Sequence, residues 1–62
     1  MKTQNSKSIP VHYVIFDGTS YFVCDEHDMR EIIRKDEHAK VVFKSMNFEI
    51  ACDKADELNE EL

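Results

Sequence analysis

The chain contains one glycine, Gly18, which follows Asp17 and stands between two short runs of β-branched and aromatic residues. An Asp-Gly step favours a tight turn because glycine takes a positive φ without a side-chain clash. Residues 11–16 read Val-His-Tyr-Val-Ile-Phe and residues 21–24 read Tyr-Phe-Val-Cys, both compositions that suit a pleated strand. The spacing therefore predicts a β-hairpin centred on residues 17–20. Pro10 has no N–H to give to a ladder and suits the first position of the first strand.

After the hairpin the periodicity changes from two to 3.6. Asp25 is a candidate helix N-cap, with Asp28 three residues on. Met29, Ile32 and Ile33 share one face, while Arg34, Lys35 and His38 gather where a helix C-terminus would attract cations. Residues 40–44, Lys-Val-Val-Phe-Lys, predict a third strand with Val41 and Phe43 on one side and Lys40, Val42 and Lys44 on the other. Asn47 is a candidate cap for a last helix whose apolar stripe is Phe48, Ala51, Ala55, Leu58 and Leu62. The order β-β-α-β-α predicts an α+β fold of two layers, a three-stranded antiparallel sheet with its first strand central and both helices on one face. Sixty-two residues leave room for one such unit. Residues 1–8 read as a flexible polar arm and 9–62 as the single small domain.

The net charge of −5 is unevenly spread. The final 14 residues hold six acids against Lys54 and carry the largest share of it. Such a chain is repelled by nucleic acid and by anionic lipid, and is drawn to basic protein surfaces. No apolar run approaches the roughly 20 residues of a membrane span, and the N-terminus lacks a signal-type apolar core. Two cysteines are too few for a disulfide framework. These features together lead us to expect a cytoplasmic protein.

Sites of chemistry are scarce. Cys24-x-x-His27 has the spacing of half a metal site, but His38 and Cys52 fall on other predicted elements and form no second half. One glycine rules out a phosphate-cradling loop, and no Cys-His or carboxylate arrangement comes with a walled pocket. We therefore expect no enzyme, no metal and no cofactor. The strands are apolar on both faces, so helices on one side would leave the other open. The candidate apolar anchor on that open face is Tyr13, Ile15, Tyr21 and Val23, and the candidate steering charges are Asp53, Asp56, Glu57 and Glu60 on the last helix. An alternative surface for nucleic acid combines Tyr13 with Lys40 and Lys44, an aromatic flanked by bases on an open sheet.

Several stretches resemble a known family. They are Tyr13-Val14-Ile15-Phe16-Asp17-Gly18, Ala39-Lys40, and Phe43-Lys44-Ser45-Met46 running on to Asp53-Lys54-Ala55. Over residues 12–58 they are similar to the hybrid-binding module at the N-terminus of eukaryotic ribonuclease H and in plant-virus viroplasmins. The resemblance implies the β-β-α-β-α fold and, at Tyr13 and Lys44, contact with an RNA–DNA duplex. The chain departs from the family where it has Ser20-Tyr21-Phe22 in place of a glycine-led strand. It also has no tryptophan at the start of the first helix, and Lys35-Asp36-Glu37-His38 in place of a glycine-containing link.

Taken together, the sequence predicts a non-enzymatic, acidic protein-interaction module. It would act as a small regulator or inhibitor, in the style of those carried by phages and mobile elements. Its partner would be a protein with a basic surface, occluded by a helix that mimics a line of phosphates. The other readings are a hybrid-type nucleic-acid binder and a homodimer joined through the open sheet face.

Overall fold

The computed structural model describes residues 10–62. The elements run β1 (His12–Phe16), β2 (Tyr21–Asp25), α1 (Glu26–Lys35), β3 (Lys40–Ser45) and α2 (Phe48–Glu60). The three strands form one antiparallel sheet in the order β2-β1-β3. This is the α+β fold in the β-β-α-β-α order that the sequence predicts, with β1 in the centre. The arm at residues 1–8, and Ile9, lie outside the described residues.

Local chemistry accounts for each junction. Gly18 has φ +97°, a backbone region that L side chains disfavour. Asp17 closes the hairpin loop by accepting at one oxygen the N–H of Thr19 (2.8 Å) and of Ser20 (2.9 Å). Asp25 caps α1 by accepting the N–H of Asp28 at 2.8 Å, and Asn47 caps α2 by accepting that of Ile50 at 3.2 Å. Glu26 and Asp28 open α1 and Arg34 and Lys35 close it, so the helix dipole is matched at both ends.

The layers differ from the expected arrangement. Val14 is fully buried against Ala51 and Ala55 of α2, with Tyr21, Val23, Phe43 and Leu58 packed around them. Ile15 is fully buried as well, yet it adjoins Val14 in the same strand and so projects from the opposite face. Among the described elements the other one lying against β1 and β2 is α1. The helices therefore sandwich the sheet rather than share one face of it. A central strand that is apolar on both sides can be buried on both sides, and here it is so at Val14 and Ile15.

Two smaller expectations also change. The pairing of β1 with β3 shifts between Val14 and Ile15, so Val14 faces Phe43 and Ile15 faces Val41. The extra residue in β3 breaks its alternation and sends Val41 and Phe43 to opposite sides of the sheet. Phe48 and Leu62, expected in the core stripe of α2, are exposed. Phe48 instead sets its ring edge-on to His12 with centroids 5.1 Å apart, and Leu62 lies past the helix end.

Candidate interaction surface

The residues expected to form one apolar anchor are divided by the sheet. Tyr13 pairs with Cys24 and Ile15 with Phe22, so these four share the α1 side. Tyr21 and Val23 belong to the α2 side, where they pack on the core around Val14. Ile15 is sealed, so the open face built from Tyr13, Ile15, Tyr21 and Val23 does not exist. Tyr13 lines an accessible depression.

That depression has a volume of about 320 Å³ and is walled by Val11, Tyr13, Lys44, Ser45 and Met46. Tyr13 and Lys44 are directly opposite each other across the β1–β3 ladder. The strand register thus joins an aromatic ring and a cation that the sequence separates by 31 positions. Lys40 does not join them. It pairs with Phe16 at the far end of the ladder, and the extra β3 residue turns it to the other face.

The acidic residues of α2 lie away from its buried face. At 100° per residue, Glu49, Asp53, Asp56 and Glu60 fall within an arc of about 60°, opposite the buried Ala51 and Ala55. All four are exposed. Glu57 lies to one side of this stripe and pairs with Lys54 at 3.3 Å, while Lys54 also stands over the Phe43 ring. The last turn of α2 contains no basic residue. Glu57, Glu60 and the capping Glu61 therefore sit at the negative end of the helix dipole, where carboxylates are unfavourable.

Sequence reasoning missed the apolar residues at the start of α2. Met46, Phe48 and Ile50 are 62%, 56% and 50% exposed around the Asn47 cap. Phe48 lines a second depression with Glu49, Cys52 and Asp53, so apolar surface runs directly into the acidic stripe. The available signal was Ile50, an apolar residue off the helical core stripe.

Among the described residues two groups titrate away from their ordinary values. The Ser20 N–H, followed by that of Thr19, holds the Asp17 carboxyl below the usual carboxylate range. Burial, reinforced by the charges of Asp28 and Asp25, pushes the Cys24 thiol up. A protonated Cys24 is a poor nucleophile and a poor metal ligand. Among the described residues no three His, Cys, Asp or Glu side chains converge as metal ligands, so Cys24, His27, His38 and Cys52 do not come together. No helix among them is long and apolar enough to cross a membrane. Set against protein-family models, curated proteins and solved structures, the chain matches none.

Proposed function

We propose that the chain is a non-enzymatic protein-interaction module whose α2 helix occludes a basic surface on a partner protein. The observation that carries this reading is the placement of the α2 acids. They form one exposed stripe, continue into the helix end where they oppose the dipole, and adjoin exposed Phe48 and Ile50. A helix selected only for stability would place cations in that last turn. The four acids of the stripe, from Glu49 to Glu60, span about 17 Å, or roughly one charge per 5 Å of axis. A single DNA strand carries a phosphate about every 3.4 Å, so the stripe presents a sparser line of the same sign. The apolar anchor beside it is Phe48 and Ile50, in place of Ile15, Tyr21 and Val23, which pack into the core.

Capture from nuclease-treated lysate tests this reading, comparing the native chain with Phe48→Ala and with Glu57→Lys/Glu60→Lys. The native chain is expected to retain a protein partner in stoichiometric amount and release it as salt rises. Both variants should lose that partner. Retention unchanged by either variant removes α2 from the mechanism.

A second reading is favoured by the Tyr13–Lys44 pair. An aromatic beside a lysine on a sheet can stack a base and meet a phosphate, and the family resemblance puts duplex contact at these two positions. Retention of an RNA–DNA duplex at low salt, abolished by Lys44→Glu, would support it. No retention by the native chain ends it.

A further inference from the structure

The two outer edges of the sheet are treated differently. At the β2 edge, Asn59 of α2 accepts the Tyr21 N–H at 2.8 Å and donates to the Tyr21 carbonyl at 2.9 Å. Its amide occupies both backbone groups that a further strand would use at Tyr21, and β2 then passes directly into α1. Among the described residues the β3 edge carries no such cap. Among the described residues no side chain hydrogen-bonds the backbone of residues 41–44, and Val41 and Val42 are 41% and 44% exposed.

Charge distinguishes the same strand. Arg30 pairs with Glu26, Arg34 and Lys35 with Glu31, and Lys54 with Glu57. Lys40 and Lys44 are the described lysines and arginines without an acidic partner, and both lie on β3. Lysines and an extra residue on an edge strand discourage pairing with a second, equally basic copy of that strand. They do not discourage an acidic strand, for which the same lysines are attractive.

We propose that the outer edge of β3 accepts an extended acidic segment of a partner protein as a fourth strand of the sheet. Backbone bonds would supply the pairing, Val41 and Val42 the apolar contact, and Lys40 and Lys44 the choice of an acidic segment. On the inner side of β3, Phe16 and Tyr13, three residues apart, meet Lys40 and Lys44. A segment with carboxylates at the same separation places one on each side of the sheet, as the two lysines are. This inference is independent of the α2 reading, which concerns a basic partner and another surface.

The test uses the full chain, isotope-labelled for amide NMR, with the blocked peptide Thr-Glu-Val-Val-Glu-Thr and its Lys-for-Glu counterpart. The Glu peptide should shift and protect amides of β3, leave the β2 edge unchanged, and weaken with salt. The Lys peptide should bind at least about tenfold more weakly, and Lys40→Glu/Lys44→Glu should reverse the order of the two. Asn59→Ala should create a second response at Tyr21. Equal responses to both peptides, a response confined to β2, or none at millimolar peptide would each overturn the proposal. So would perturbation of β3 by an RNA–DNA duplex alone, which would assign the lysines to nucleic acid.

Discussion

Asp17 and Gly18 together set the hairpin, and each does so by a separate mechanism. A β-carbon added at Gly18 would meet only His38 Cβ at 3.9 Å, an ordinary contact, so space is not the constraint. The positive φ is. Gly18→Ala should cost about 1–2 kcal/mol through backbone strain alone, read as a lowered midpoint in urea. Asp17 contributes through its charge. Because its native pKa is lowered, its contribution is complete above the unfolded-state carboxylate pKa and is lost as pH falls through the native value. Asp17→Asn keeps an oxygen acceptor but cannot titrate, so its melting temperature should fall less than the native chain's below about pH 4. Equal acid slopes for the two would contradict this. Cys24 shifts the other way, so its thiol should alkylate slowly in a folded Cys52→Ser chain and faster once urea exposes it. Equal rates in both states would show that burial and the two neighbouring aspartates do not protect it.

Elements whose ends are set by local chemistry were legible in the sequence. Asp17-Gly18, the Asp25 and Asn47 caps, and the Met29–Ile32 and Ala51–Ala55 spacings all act within a few residues, and each element forms where they place it. What depends on distant residues was not legible. The added residue in β3 is defined only against β1, and alternation counted along β3 alone misassigns Val41. Likewise, Phe48 fits the α2 core stripe by angle but is left outside because Ala51 and Ala55 seat the helix. The acids of α2 were visible, but their opposition to the dipole becomes meaningful only once the helix end is fixed at Glu60. Glu60→Lys should therefore stabilise the isolated protein by a few tenths of a kcal/mol while weakening partner capture. Thermal unfolding and capture measured on the same variant separate the two effects. A variant that loses stability would mean that Glu60 has a structural role instead.

At the scale of the whole molecule, the arrangement is a central strand buried from both sides at Val14 and Ile15, and this determines how the protein fails. A domain of this size has only about 3–5 kcal/mol of stability to lose. Removing a fully buried Ile costs about 2–5 kcal/mol through lost transfer energy and the cavity left behind. If Ile15 belonged to an open interaction face, Ile15→Ala would leave folding intact and reduce only binding. Buried beneath the layer that α1 contributes, it should instead remove most of the stability, as Val14→Ala should partly do from the α2 side. The two substitutions act on opposite faces of one three-stranded sheet. Circular dichroism during heating should then show both variants melting well below the native chain in single transitions, with Ile15→Ala the lower. An Ile15→Ala chain with a native melting temperature would place α1 away from that face and return Ile15 to the surface.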